Sequence, residues 1–118
     1  MNGKNKNIIV LGAGESGVGA ALLAKKYEWN VFVSDGGPIK ADYKTELDNN
    51  QIEWEENKHS TDRIFQAELI VKSPGIPETN DLMHALRNKQ VKIISEIEFA
   101  GYYTRGKSIC VTGSNGKT

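Results

Sequence analysis

Two glycine-rich stretches carry the residue types that hold phosphate. The first, Gly12-Ala13-Gly14-Glu15-Ser16-Gly17, has the spacing G-x-G-x-x-G and follows an apolar run, Ile8-Ile9-Val10-Leu11. In that setting Gly12 permits a tight turn, Gly14 a close approach of an anion, and Gly17 close packing of a helix on a strand. The second, Gly113, Ser114, Asn115, Gly116, Lys117 and Thr118, follows Lys107-Ser108-Ile109-Cys110-Val111. Glycines let backbone N–H groups close around phosphate oxygens there, Lys117 supplies a positive charge, and the Thr118 hydroxyl can hold Mg²⁺. A helix should follow such a loop and face the phosphates with its N-terminus. The sequence stops at Thr118, so the expectation is the front module of a larger nucleotide-using enzyme.

Two further positions belong with the first loop. Asp35 stands at the end of a second apolar run, Val31-Phe32-Val33, and precedes Gly36-Gly37. An acid at this place in a dinucleotide fold accepts hydrogen bonds from ribose hydroxyls; an ionised carboxylate can equally accept from a uracil imide N–H. The residues alone leave NAD and a uridine nucleotide both open, and a plain turn before the glycines is the third reading. Ser73-Pro74-Gly75 ends another apolar run, Leu69-Ile70-Val71. If that run neighbours the first, backbone amides at Ser73 and Gly75 meet a phosphate from the side opposite the first loop. Otherwise the segment is a Pro-Gly turn. Glu15 sits awkwardly beside a pyrophosphate, which implies that backbone donors hold the ligand and the Glu15 side chain turns to solvent, base or sugar.

The elements that must position these residues alternate in type. Continuous β-branched runs at Ile8, Val31 and Leu69 read as strands buried on both faces. Ile52-Glu53-Trp54-Glu55 alternates as an exposed edge strand, and Val91-Lys92-Ile93-Ile94 is a fifth strand. Helices are expected over 16–27, 43–50, 61–65, 79–88 and 95–103, the last opened by Ser95 and Glu98 at capping-box spacing. Strand–helix alternation gives an α/β fold: a Rossmann-like, doubly wound parallel sheet in the order 3-2-1-4-5 with helices on both faces. Residues 1–106 would form this domain, and residues 107–118 would begin the next.

Composition narrows the function classes. The chain has 118 residues, enough for one domain that buries roughly two-thirds of its unfolded surface. Lys+Arg and Asp+Glu are both 15, so no basic surface for nucleic acid is expected. The apolar run from Ile8 to Leu11 is too short for a signal peptide or a membrane span, and a cytoplasmic protein without membrane contact is expected. The single cysteine, Cys110, reads as a small buried hydrophobe in a strand. His59 and His84 are isolated from any metal-ligand pattern and read as surface residues. Trp29 and Trp54 read as packing, Glu53-Trp54-Glu55-Glu56 as a charged edge, and Glu96 with Glu98 as a helix start rather than a catalytic pair.

Together, Val10-Leu11-Gly12-Ala13-Gly14-Glu15-Ser16-Gly17, Val33-Ser34-Asp35, Leu69-Ile70-Val71-Lys72-Ser73-Pro74-Gly75-Ile76, Ile94-Ser95-Glu96-Ile97-Glu98-Phe99 and the terminal Val111-Thr112-Gly113-Ser114-Asn115-Gly116-Lys117-Thr118 resemble the N-terminal part of a Mur ligase. The resemblance spans about Lys6 to Thr118. It implies a three-domain enzyme of peptidoglycan synthesis that uses ATP and Mg²⁺ to activate the carboxylate of UDP-N-acetylmuramoyl-L-alanine, which the amine of D-glutamate then attacks; a monomer is expected. By that resemblance Gly14, Glu15, Ser16, Gly17, Asp35 and Gly36 hold the uridine diphosphate. Ser73, Pro74 and Gly75 complete its pocket, and Gly113, Ser114, Asn115, Gly116, Lys117 and Thr118 bind ATP, with Thr118 on Mg²⁺. No catalytic residue is expected within the chain itself, which should be inactive alone and hold no cofactor tightly. Two departures stand out. Where relatives can carry Thr-Arg after the acid, this chain has Gly36-Gly37. The terminal loop is also shorter than G-x-x-x-x-G-K-[ST]. Rival readings are a regulatory NAD-binding Rossmann module and a phosphate-loop NTPase piece whose first glycine loop is only structural.

Overall fold

The computed structural model describes residues 6–73 and 81–104. Five strands form one parallel sheet: β1 (Asn7–Leu11), β2 (Asn30–Asp35), β3 (Glu53–Glu56), β4 (Leu69–Lys72) and β5 (Lys92–Ser95). Their order is β3-β2-β1-β4-β5, as the alternation of elements predicts. Five helices connect them: α1 (Glu15–Lys26), α2 (Ala41–Asn49), α3 (Thr61–Ile64), α4 (Asp81–Asn88) and α5 (Glu96–Thr104).

The continuous apolar runs are explained by two cores, one on each face of the sheet. Successive strand residues point to opposite faces. Ile8, Val10, Val31, Val33, Leu69 and Val71 therefore join one core, which α1, α2 and α5 cover with residues such as Ala21, Leu47 and Phe99. Ile9, Leu11, Phe32 and Ile70 join the other, under Ile64 of α3 and Met83 and Leu86 of α4. β1 lies between β2 and β4, with Ile8 opposite both Val31 and Leu69, and Ile8, Val10 and Leu11 have no exposed surface.

α5 docks on α1 through aromatic rings. Tyr103 stacks on Tyr27 with centroids 3.9 Å apart. Phe99 meets Tyr103 and Trp29 edge-on, and the Trp29 indole N–H donates to the Tyr103 hydroxyl at 2.8 Å. Trp29 is thus packing, as its sequence setting implies. Trp54 is half-buried and its indole N–H donates to Asp48. The α5 start is also as expected in kind: the Glu98 amide donates to Ser95 Oγ at 3.0 Å.

Some boundaries differ by one or two residues from the sequence pattern. β3 begins at Glu53 rather than Ile52. Its charged face also departs from a simple exposed edge, because Glu55 is buried and Glu56 accepts from the Ile39 amide and from Lys44. The helix expected over 79–88 is described from Asp81. Cys110 lies outside the described residues.

Candidate functional site

The strand order reverses at β1, where the chain has β2 on one side and β4 on the other. In open parallel sheets ligands bind at such a reversal, beyond the carboxyl ends of the strands. The first glycine loop leaves β1 at this point. Gly12 has φ 99°, a left-handed conformation open to glycine at no steric cost, and its amide donates to the Ser34 carbonyl of β2 at 2.9 Å. A Cβ on Gly17 would lie 2.0 Å from the Gly12 carbonyl oxygen, so glycine there is what lets α1 start directly against the turn. Gly14 is the N-cap of α1, with no side chain capping the helix and open space where a Cβ would stand. The first-turn amides of α1 lack intrahelical acceptors, and Gly14, Glu15 and Ser16 are exposed while Gly17 is buried. This is a helix N-terminus bare toward solvent, with a positive dipole end suited to an anion.

Asp35 ends β2 next to this loop, and its carboxylate organises the backbone. Oδ2 accepts from the Ala13 amide at 2.8 Å and Oδ1 from the Gly37 amide at 2.9 Å. The acid therefore ties the β1–α1 turn to the Gly36-Gly37 turn, a role the sequence reading did not assign to it. Gly36 is exposed. Ser73, just past β4, donates its amide to the Leu11 carbonyl at 3.0 Å, which places the start of the Ser73 loop beside the glycine loop. Pro74, Gly75 and the second glycine loop, residues 113–118, lie outside the described residues. Of the expected uridine-site residues, the structure thus gathers Gly14, Glu15, Ser16, Gly17, Asp35, Gly36 and Ser73 at one end of the sheet.

Between Ser16 of α1, Lys72 of β4 and the β5–α5 junction lies a concavity of about 350 Å³. Glu96 lines it but is buried, and its Oε2 has no hydrogen-bond partner. Burial raises the pKa of this carboxyl above the usual range, with Lys72 pulling the other way. Glu96 also lies against α1: its Oε2 is 3.3 Å from the place a Gly17 Cβ would take.

A buried polar network stands behind the Asp35 turn. Ser34, with no exposed surface, bonds Glu55 Oε2 and His59 Nδ1, each at 2.7 Å. Glu55 accepts in addition from the Ser60 amide and hydroxyl. Burial works against charge on Glu55, but the Ser60 and Ser34 hydrogen bonds and nearby Lys58 outweigh it and hold the carboxyl below the usual range. His59 is therefore not an isolated surface residue, whereas His84 is exposed. The only sequence signal for this network is Ser34 following the apolar run of β2; its partner Glu55 is one of three glutamates in β3, and the pairing register sets the two opposite each other. Among the described residues no cluster of His, Cys, Asp and Glu could hold a metal ion, and no helix is long and apolar enough to cross a membrane.

Residues 7–82 match the MurD N-terminal domain family. The chain is 58% identical over 113 residues to a UDP-N-acetylmuramoylalanine–D-glutamate ligase of Bacteroides fragilis, covering 96% of this chain and 26% of that protein. It is 49% identical over 113 residues to the ligase of the same name from Christiangramia forsetii, covering 96% of this chain and 25% of that one. The chain therefore spans only about a quarter of the length of these relatives. Among solved structures, the UDP-N-acetylmuramate-alanine ligase of Thermotoga maritima superposes with a TM-score of 0.71 at 22% identity over 96% of this chain and 26% of that one, a likeness of fold.

Proposed function

The chain belongs to the MurD N-terminal domain family, and from that premise we propose that it is the uridine-nucleotide-binding domain of an ATP-dependent ligase. That enzyme adds D-glutamate to UDP-N-acetylmuramoyl-L-alanine in the cytoplasm. The observation that carries this reading is the convergence of the bare α1 N-terminus, the Asp35–Gly36 turn and Ser73 at the carboxyl ends of β1, β2 and β4. A diphosphate fits there without any cationic side chain, because helix amides supply the donors. Gly14, Glu15, Ser16 and Gly17 would hold the diphosphate through backbone N–H groups, with Ser73, Pro74 and Gly75 facing them. Asp35 and Gly36 would bound the ribose and base.

Residues 1–106 would be this domain and 107–118 the beginning of an ATPase domain. There Gly113, Ser114, Asn115, Gly116 and Lys117 would bind ATP phosphates and Thr118 would hold Mg²⁺, a reading that rests on their sequence pattern. With the nucleotide bound, ATP would supply the phosphoryl group that activates the substrate carboxylate. The part this chain plays is to anchor the sugar nucleotide so that its far, reacting end is fixed. We expect the chain alone to be without ligase activity and to act as a monomer.

Titration of the chain with UDP, UMP, NAD and ATP, followed by ligand-observed NMR, tests the reading. UDP binding in preference to NAD supports it; binding of NAD alone overturns it. The nicotinamide alternative has no specific observation in its favour.

A further inference from the structure

Glu96 opens α5 at the position of a helix-start acid, but its side chain is not placed like one. Glu98, in the same turn, is exposed, and its amide donates to Ser95 Oγ. Glu96 is turned inward and only 8% exposed. Its Oε2 is shut off from solvent and has no hydrogen-bond partner. A buried acceptor without a donor costs stability, and an apolar side chain would serve packing as well. What Glu96 faces is the first turn of α1. Oε2 is 3.3 Å from the place a Gly17 Cβ would take, and Ser16 and Glu96 line one concavity together. The amides of Glu15, Ser16 and Gly17 precede the first intrahelical bond, from the Val18 amide to the Gly14 carbonyl at 2.9 Å. These are the donors assigned above to the diphosphate. The carboxyl and the bound anion therefore share one helix terminus, the carboxyl from the protein side and the phosphates from the solvent side. Other charges around Glu96 come from each packed element. Lys72 of β4 attracts the carboxylate, and its ammonium also donates to the Ser73 carbonyl. Arg87 of α4 and Glu98 of α5 line the same concavity. Glu15 of α1 is exposed, and Lys92 of β5 lies over the Tyr102 ring at the far end of α5. Burial outweighs Lys72, so the carboxyl holds its proton to higher pH than is usual.

We propose that Glu96 is a proton-linked tuning residue of the anion site: charged, it repels a diphosphate at the α1 N-terminus, and binding of that ligand makes it take up a proton. This rests on the diphosphate reading above. The step is a proton transfer alone: solvent or buffer gives up H⁺, the carboxylate becomes the neutral acid, and no other bond changes. A bound anion raises the pH at which the carboxyl titrates above that of the free chain. Affinity is therefore greatest below the free-chain value, falls as pH rises between the two values, and is level once Glu96 is charged in both states. Unit charges about 10 Å apart at an effective dielectric of about 20 alter an equilibrium on the order of tenfold.

The test titrates the 118-residue chain with UDP-glucose, whose esterified phosphates keep a fixed charge from acid to neutral pH. The parent's affinity should fall about tenfold over that range. Calorimetry at mildly acidic pH, in MES and in imidazole buffer, should show proton uptake on binding. Glu96→Gln, neutral at every pH, should keep the acid-limit affinity throughout and so bind about tenfold tighter than the parent at neutral pH. Glu96→Ala should do the same, whereas Glu98→Gln should retain the parent's slope. In the parent, the ¹³C resonance of the Glu96 carboxyl should titrate at higher pH with UDP-glucose than without it. A slope that persists in both Glu96 variants belongs to another group, such as the His59 ring, and overturns the proposal. So do variants that bind no tighter than the parent at neutral pH, or a carboxyl resonance that titrates alike with and without ligand. Each of those results leaves the diphosphate reading intact; a parent that binds UDP-glucose at no pH overturns both.

Discussion

At the scale of single residues, two buried glutamates set opposite pH dependences. Glu96 has its pKa raised by burial, partly offset by Lys72. A raised folded-state value means that its contribution is intact below the unfolded value and is lost as pH rises through the folded one. Glu96→Gln removes that loss, so its stability relative to the parent should increase from pH 4 to pH 7 in urea titrations, by on the order of 1 kcal/mol. Glu55 has its pKa lowered, since the Ser60 and Ser34 hydrogen bonds and Lys58 overcome burial. Its contribution is present above the unfolded value and disappears as pH falls through the folded one. Glu55→Gln should cost about 2 kcal/mol at pH 7, and the two unfolding curves should converge in acid. Gly17→Ala forces a methyl group to within 2.0 Å of the Gly12 oxygen, so α1 must shift; a loss of about 2–3 kcal/mol is expected by chemical denaturation. The job of Gly17 was legible in the sequence because its reason is local: a turn, a helix start and a fixed spacing. That of His59 was not. Its partners Ser34 and Glu55 meet it only because β2 and β3 pair in a particular register, and no short-range pattern encodes that. Asp35 was legible as a site residue, but its bonds to Ala13 and Gly37 belong to the folded turn.

At the scale of elements, the five strands and their order could be read because the apolar runs of β1, β2 and β4 are continuous, β3 alternates as an edge, and the turns between strands are marked by Gly, Pro, Asp and Asn. Strand ends slipped by a residue where burial continues past the hydrogen-bonded ladder, as at Ile52, which is buried just before β3 begins. The aromatic clasp between α1 and α5 was hidden for a different reason. Tyr27 and Trp29 stand just after α1 while Phe99 and Tyr103 belong to α5, Trp29 and Tyr103 being 74 residues apart, so the four meet only in the folded state. Phe99 has no exposed surface and sits at the centre of that clasp. Phe99→Ala should cost about 3–5 kcal/mol. It should also raise amide exchange in α5 before the rest of the sheet, readable by hydrogen exchange with NMR.

For the whole molecule, what matters is that one end of the sheet collects the glycine loop, the Asp35 turn and Ser73 while two helical layers cover the faces. A ligand that bridges the turns should stabilise the whole fold by mass action. At a UDP concentration a hundred times its dissociation constant the gain is about 2.7 kcal/mol, seen as a rise in Tm; NAD at the same concentration should leave Tm unchanged.

The reversal of strand order at β1 has a consequence for how the chain is made. β1 pairs first with β2, close behind it, but its other flank is completed by β4, where Ile8 meets Leu69 about sixty residues later. As the chain leaves the ribosome, a strand apolar from Ile8 to Leu11 must wait with one row of amides and carbonyls unmatched until Lys72 has emerged. Nascent chains halted before that point should be the ones most prone to capture by chaperones or to clumping, and those halted just beyond it should not.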